Sequence, residues 1–227
     1  MSGRGGGGRT MAVGSDVSFE DCAVVACGTL SPELRALRKS GFLDAAGILY
    51  TRPGRHEDPR ELESQLVRRI GQAGRFARKI IVVYGGKFCF IDPRNPGRTI
   101  DDVIAEQGER VFRVAATHCV DMLADARQRE ELSGGEKVFW LTPGWIIYRD
   151  YVFQDWDRGK ANESFPQHTG GAVLLDAVHF FEEYSESHPE RILEFSDWMG
   201  IPIIPRELKL DRLEELLRDC ALRLGAG

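Results

Sequence analysis

The sequence predicts an α/β fold of the Rossmann-like type, in which a mostly parallel sheet of five or six strands carries helices on both faces. Short apolar runs alternate with stretches of helical periodicity along most of the chain, an order that is typical of parallel strands joined by right-handed helical crossovers. The most regular run, residues 80–84 (IIVVY), is apolar throughout, as expected of a strand that is covered on both faces.

Six segments are predicted as strands because each is short and apolar and lies next to turn residues. These segments are residues 22–27, 47–51, 80–84, 111–116, 138–142 and 201–204. Helices are predicted between most of them, among them residues 119–131, 172–185, 189–198 and a closing amphipathic helix over 207–224.

The chain has 227 residues, a length that suits one α/β domain. Residues 1–18 are rich in glycine and cannot bury a core, so we expect a disordered tail there. Residues 19–227 are predicted to form a single α/β domain whose C-terminal part is helical.

Composition disfavours several classes of function. The net charge of -5 is unlike that of a protein with a broad nucleic-acid surface. No apolar run approaches the roughly 20 residues that span a bilayer. The N-terminus lacks the apolar stretch of a secretory signal, and the chain has five cysteines. We therefore expect a cytoplasmic protein whose thiols are reduced or bound to metal rather than paired in disulfides.

Three of the cysteines come just after predicted strands. Cys27 ends the first strand, Cys89 lies in the glycine-rich turn after residues 80–84, and Cys119 follows residues 111–116. Ligands of open parallel sheets bind outside the carboxyl ends of the strands. The three thiols are therefore predicted to meet at one edge of the sheet, although they are far apart in the sequence.

Three thiolates at one edge indicate a metal site. Thiolates are soft ligands that suit iron–sulfur clusters, zinc and copper(I), and three of them on a four-coordinate metal leave one position open for Lewis-acid chemistry or a substrate. A helix starting at Cys119 would favour its thiolate through the helix dipole. The neighbouring His118 could be a fourth ligand, a hydrogen-bonding partner of a ligand, or a catalytic acid or base.

The alternative is that Cys27, Cys89 and Cys119 are small buried residues at tight turns, because unpaired cysteine is commonly buried. For Cys22, which opens a strand, and Cys220, on an apolar helix face, this core interpretation is the better one.

Other residues at the same edge could help to bind a cofactor. Backbone N–H groups in the turns at Gly28 and at Gly85-Gly86 could donate to sulfur. Trp145 follows a Thr-Pro-Gly turn at a strand end and is expected at the edge that carries the cysteines. The surrounding aromatic residues could wall a pocket for a flat cofactor or a partner, but core packing is the favoured interpretation. These residues are Phe139, Trp140, Trp145, Tyr148, Tyr151, Phe153 and Trp156.

Four segments, ACGTLSPEL, VVYGGKFC, THCVDML and FWLTPGW, in this order resemble the bacterial and archaeal family called domain of unknown function 1638. The resemblance covers nearly the whole chain from about residue 22 and implies a parallel α/β fold. The positions that match the family motifs are Cys27-Gly28, Tyr84-Gly85 with Cys89, His118-Cys119, and Thr142 through Trp145.

The family turn has fewer residues before its cysteine, whereas here Gly86, Lys87 and Phe88 separate Gly85 from Cys89. The loop must therefore bulge if Cys89 is to reach the site. Family members are often encoded beside corrinoid proteins and methyltransferases of one-carbon metabolism, which implies a corrinoid protein or a small molecule of that metabolism as a partner.

Together these features predict a metalloprotein in which Cys27, Cys89 and Cys119 bind an iron–sulfur cluster of the 4Fe-4S type with one open iron. Such a centre could serve lyase, desulfurising or redox chemistry. Two alternatives stay open. One is a zinc site of the same cysteines that handles thiol or methyl groups, and the other is a non-enzymatic accessory protein of a corrinoid methyltransferase system.

Overall fold

The computed structural model describes residues 17–54, 58–86 and 94–225. Its strands form two parallel sheets flanked by helices, one of four strands and one of three, so the predicted parallel α/β fold is confirmed. The strands are β1 (Cys22–Cys27), β2 (Gly47–Thr51), β3 (Lys79–Val83), β4 (Val111–Arg113), β5 (Phe139–Leu141), β6 (Ala172–Asp176) and β7 (Ile203–Glu207). The first sheet has the order β2-β1-β3-β4 and the second the order β5-β6-β7.

Ten α-helices connect these strands within the described residues. They are α1 (Ser31–Lys39), α2 (Pro59–Ala73), α3 (Ile100–Ala105), α4 (Ala126–Ser133), α5 (Pro143–Ile147), α6 (Arg149–Val152), α7 (Arg158–Ser164), α8 (Phe180–Ser187), α9 (Pro189–Met199) and α10 (Asp211–Gly225). None of them combines the length and the apolar composition needed to cross a membrane.

Side chains alternate across β1, as the two-residue period of a strand requires. Val24 and Ala26 face a core that includes α1 and α10, called here the α1/α10 core. Ala23 and Val25 face a second core with α2 and α3, the α2/α3 core. Helices thus cover the first sheet on both faces, as the apolar sequence of its strands predicts.

The two sheets share part of their packing. Val173 and Leu175 of β6 belong to the α1/α10 core together with Leu34 of α1. In addition, α5 contacts the short 3₁₀ helix Gly28–Leu30 that follows β1. The carboxyl end of β1 therefore lies against the start of α5, where the second sheet adjoins the first.

Two predictions about the strands were wrong. The strands form two sheets rather than one, because β5 pairs with β6 and not with the first sheet. Residues 172–176, predicted as helical, form the central strand of the second sheet. All five are buried, and the short apolar run of residues 172–175 carries no periodicity that distinguishes a buried strand from a buried helix.

The predicted helix over residues 119–131 was also wrong. A three-residue 3₁₀ helix, Val120–Met122, comes first, and α4 begins only after Asp125, whose side chain forms a capping box with Gln128. Cys119 is therefore not at the start of an α-helix, and it loses the support that a helix dipole would give its thiolate. At the other end of the chain, β7 occupies residues 203–207, so the closing helix begins at Asp211.

Candidate functional site

The side chain of Cys27 is held at the carboxyl end of β1 by two hydroxyl groups. Its Sγ lies 3.0 Å from Oγ1 of Thr29, and the Tyr84 hydroxyl also bonds to it. The same Tyr84 hydroxyl is bonded to the side chain of buried Thr51. Burial raises the pKa of the Cys27 thiol, although these hydrogen bonds act in the opposite direction. The sulfur therefore carries its proton at neutral pH.

The glycines beside the predicted site have packing roles. A Cβ atom at Gly28 would lie 2.8 Å from the Thr51 carbonyl oxygen and 2.7 Å from the Pro53 ring, so only glycine allows this turn to pack against the end of β2. The Gly86 N–H donates to the Ala116 carbonyl at 2.9 Å, and it does not serve a sulfur atom as predicted. Gly85, in the same turn, is buried.

His118 is fixed by the turn in which it lies. The Asp121 N–H donates to Nδ1 of His118 at 3.1 Å, so Nδ1 is not the nitrogen that a metal or a substrate would use. Burial lowers the pKa of His118, and the charge of Arg129 lowers it further. The imidazole is thus neutral at pH 7.

Asp121 closes this turn and links it to α10. Its carboxylate accepts hydrogen bonds from the Thr117 N–H at 2.8 Å and from Nη2 of Arg212 at 3.1 Å. Burial alone would raise the pKa of Asp121, but these two partners and Arg129 lower it. The segment that presents His118 and Cys119 is therefore anchored by an ionised, partly buried carboxylate.

The strand order brings the cysteine-bearing segments together. β1, β3 and β4 are neighbours in the first sheet, with Cys27 at the end of β1 and Cys119 beyond β4. Cys89 lies outside the described residues, in the segment that follows β3. Among the described residues, no group of three or more His, Cys, Asp or Glu side chains could hold a metal ion, so a complete set of metal ligands here requires Cys89.

Of the three cysteines predicted at the site, Cys27 and Cys119 are described, and they pack on opposite faces of the first sheet. Cys27 lies against the α2/α3 core and Cys119 against the α1/α10 core. A site that used both sulfur atoms would therefore lie over the carboxyl edge of β3 rather than on either face. Cys22 and Cys220 are buried in the α1/α10 core, as the core interpretation predicted.

The family match agrees with the motifs noted in the sequence. The family described as protein of unknown function (DUF1638) matches residues 50–217. The chain belongs to this family. The matched range includes Tyr84, Cys89, His118-Cys119 and Trp145 and begins after Cys27. No protein with a curated function and no solved structure matches the chain.

Trp145 of this DUF1638 chain packs against the core of the second sheet. Its ring lies 5.9 Å from that of Phe139 and 5.7 Å from that of Phe153, in edge-on contacts. Most of the aromatic cluster belongs to the core of the second sheet, which supports the core interpretation. A cavity of about 390 Å³ lined by Trp156 and Trp198 lies between α6 and α9, and its lining includes none of the predicted site residues.

Sequence reasoning missed the burial of three polar residues at the junction of the sheets. Glu33 is 0 % exposed, Thr142 is 0 % exposed and Asp176 is 4 % exposed. Burial raises the pKa of Glu33 to about 8, and the charge of Asp176 acts in the same direction. The spacing of the residues could have indicated the burial of Glu33. It lies three residues after Leu30 and four before Leu37, on the apolar face of the predicted helix.

Proposed function

We propose that this protein is a metalloprotein in which Cys27, Cys89 and Cys119 bind an iron–sulfur cluster at the carboxyl edge of the first sheet. The observation that carries the proposal is the order of the strands. β1, β3 and β4 lie side by side, and neighbouring strands are about 4.8 Å apart. The segments that carry the three cysteines therefore leave adjacent strands, with that of Cys89 in the middle.

The residues present fit such a group in their chemistry. Three sulfur ligands suit an iron–sulfur cluster, and a bound metal displaces the proton of a coordinating thiol. This displacement offsets the rise that burial causes in the pKa of the Cys27 thiol. Thr29 and Tyr84 hold the sulfur of Cys27 in place through their hydroxyl groups, and such hydrogen bonds tune the reduction potential of a cluster.

A cluster held by three thiolates has one iron open to a further ligand, and this iron would supply Lewis-acid or redox chemistry. The contribution of the chain's own residues is to orient and enclose the site. The Asp121 N–H bond to Nδ1 fixes the ring of neutral His118, and His118 sits next to Cys119 in the chain.

Anoxic purification followed by iron, zinc and sulfide analysis tests the proposal. We expect iron and acid-labile sulfide in about four copies each per chain, together with broad visible absorption, if the cluster is of the 4Fe-4S type. Zinc without visible absorption would instead support the zinc–thiolate alternative for the same cysteines. Colourless protein that contains neither metal would contradict both.

The compartment and the partner are also part of the proposal. Cys22, Cys27 and Cys220 are unpaired thiols, which supports a reducing compartment such as the cytoplasm. The family resemblance supports a corrinoid protein of one-carbon metabolism as the partner. Mixing the protein with such a corrinoid protein and measuring association by analytical ultracentrifugation tests this part of the proposal.

A further inference from the structure

A buried carboxyl group lies where the two sheets meet. Both carboxyl oxygens of Glu33 are buried, and among the described residues the only hydrogen bond to them is a local one from the N–H group of Glu33 itself. An unsatisfied buried polar group costs about 1–3 kcal/mol and more if it is charged. Native proteins rarely leave such a group without a reason, and a bound ligand is one such reason.

Two further polar side chains lie at the same junction. Thr142 follows β5, and its buried hydroxyl has no hydrogen-bond partner among the described residues. Asp176 ends β6, the strand paired with β5, and it lies close enough for its charge to act on Glu33. Helix α5, which starts after Thr142, contacts α1, which carries Glu33. The three side chains therefore come from elements that adjoin at the carboxyl ends of both sheets.

Asp176 and Arg35 already have hydrogen-bond partners other than Glu33. Asp176 is satisfied by the N–H groups of Val178, Phe180 and Phe181. The guanidinium group of Arg35 donates to Ser31 and to the Tyr148 hydroxyl rather than to Glu33. What remains is a pair of carboxyl oxygens and a hydroxyl group, with the negative charge of Asp176 nearby.

This arrangement suits a cationic donor better than an anion or a metal ion. An anion would be repelled by Asp176. A metal ion needs several strong ligands, and the described residues contain no group of three or more acidic, histidine or cysteine side chains that could hold one. An ammonium group carries the opposite charge and directs three N–H donors at oxygen acceptors.

We propose that Glu33, together with Thr142 and Asp176, forms the buried end of a ligand site between the two sheets that binds the primary ammonium group of a small organic amine. This site goes beyond the metal centre proposed above and shares no residue with it. Because burial raises the pKa of Glu33 to about 8, the carboxyl group holds a proton at pH 7 before the amine binds. An ammonium ion would ionise Glu33, and the released proton would pass to the buffer.

Several groups act on the pKa of Glu33 besides burial, which is the main cause of its rise. A hydrogen bond from the N–H group of Glu33 itself lowers this pKa, the charge of Asp176 raises it, and the charge of Arg35 lowers it. On the β2 side lies Tyr50, whose pKa burial raises above its ordinary value of 10, so this phenol stays protonated at pH 7. The proton released on binding is therefore that of Glu33.

Isothermal titration calorimetry of the full chain with ethylammonium chloride at pH 7 tests this inference. Potassium chloride at equal ionic strength is the control for salt, and two buffers of different ionisation enthalpy count the protons. We expect saturable binding of ethylammonium with about one proton released per ion bound. Heats that match those of potassium chloride would overturn the proposal.

Two variants and one control assign the binding to this site. We expect Glu33→Gln to weaken binding by about tenfold or more and to abolish proton release, and Thr142→Val to weaken binding by about threefold. Glu20→Gln changes an exposed glutamate at the opposite end of β1 and should bind as the parent protein does. Unaltered binding and proton release in Glu33→Gln would refute the assignment. The metal content of Glu33→Gln should equal that of the parent protein, so failure here is distinguishable from failure of the metal proposal.

Discussion

Glu33 and Cys27 show how burial sets the chemistry of single residues in this protein. Both lie at the carboxyl end of β1 or just beyond it, and burial raises the pKa of both. They differ in their partners, because Cys27 bonds to Thr29 and Tyr84 whereas no other described residue donates a hydrogen bond to the carboxyl group of Glu33. A buried acid of this kind makes stability depend on pH.

The pH dependence has a definite direction. The pKa of Glu33 is about 8 in the folded protein against an ordinary value of 4.5, so between these values the folded chain binds more protons than the unfolded one. The contribution of Glu33 to stability is therefore full below pH 4.5 and is lost as the pH rises to 8, by at most about 1.4 kcal/mol per pH unit.

Replacing Glu33 by glutamine should remove this loss. We expect the free energy of unfolding of Glu33→Gln, relative to that of the parent protein, to increase from pH 5 to pH 8, as measured by urea denaturation. Glu20→Gln, at an exposed position, should follow the parent protein at both pH values. If the difference between Glu33→Gln and the parent protein did not change with pH, Glu33 would not be a buried, protonated acid.

Among single residues, the sequence predicted the positions that follow a strand but not their contacts. Cys27 ends β1, as the apolar run predicted, whereas β4 ends at Arg113, several residues before Cys119. The bond from Tyr84 to Cys27 and the burial of Glu33 depend on how the helices and β2 pack over the first sheet, which residue types and spacing do not reveal.

Elements with a regular pattern were predicted well, and elements without one were not. The strands at residues 22–27 and 47–51 were predicted within the observed limits. β6 was missed because its five residues are all buried and show no periodicity. The break after Cys119 was missed because Asp125 starts α4 through a capping box with Gln128, a local signal that the prediction of one continuous helix overlooked.

The contact between α5 and the Gly28–Leu30 turn joins the two sheets, and Gly144 allows it. A Cβ atom there would lie 1.9 Å from the Thr29 carbonyl oxygen, so Gly144→Ala must separate the two elements. We expect a loss of about 2 kcal/mol or more in the free energy of unfolding, measured by urea denaturation.

Gly71→Ala is the matched control for this substitution. Gly71 lies inside α2, and a Cβ atom there meets nothing within 4 Å. Because alanine favours the helix, this variant should be more stable by about 0.5–1 kcal/mol. Equal effects of the two substitutions would show that α5 and the turn are not in close contact.

The docking of α10 on the turn that carries His118 depends on the charge of Asp121. Asp121→Asn keeps the shape of the side chain but weakens its bonds to Arg212 and Thr117, and it should lower the free energy of unfolding by about 2 kcal/mol. Asp125→Asn is the control, because Asp125 is a more exposed partner of Arg212, at a distance of 3.9 Å. Asparagine can still cap α4, so this variant should lower the free energy of unfolding by less than about 0.5 kcal/mol. Similar losses in urea denaturation for both variants would contradict this role of Asp121.

For the whole molecule, the fold class could be predicted from the sequence, but the pairing of strands could not. Alternating apolar runs and helical stretches specify parallel strands with crossovers. Which strands become neighbours depends on how the helices share their apolar faces. Here the core that α1 and α10 form over one face of the first sheet also includes Val173 and Leu175 of β6, so a second sheet packs beside the first instead of extending it.

The shared core predicts that the two sheets unfold together. All four tryptophans lie between residues 140 and 198, so their fluorescence reports on the second sheet. Cys22 lies in β1 and is 2 % exposed, so its alkylation reports on the first sheet. We expect the two signals to change at the same urea concentration. Separate midpoints would show that the sheets are independent folding units.

The central claim is that thiols at the carboxyl edge of the first sheet bind a metal cluster. The most direct test is the iron and sulfide content of anoxically purified Cys119→Ala, compared with the parent protein and with Cys220→Ala, which removes a thiol buried in the α1/α10 core. We expect Cys119→Ala to lose most of its iron and sulfide and Cys220→Ala to keep both. Iron and sulfide in Cys119→Ala at the level of the parent protein would contradict the claim.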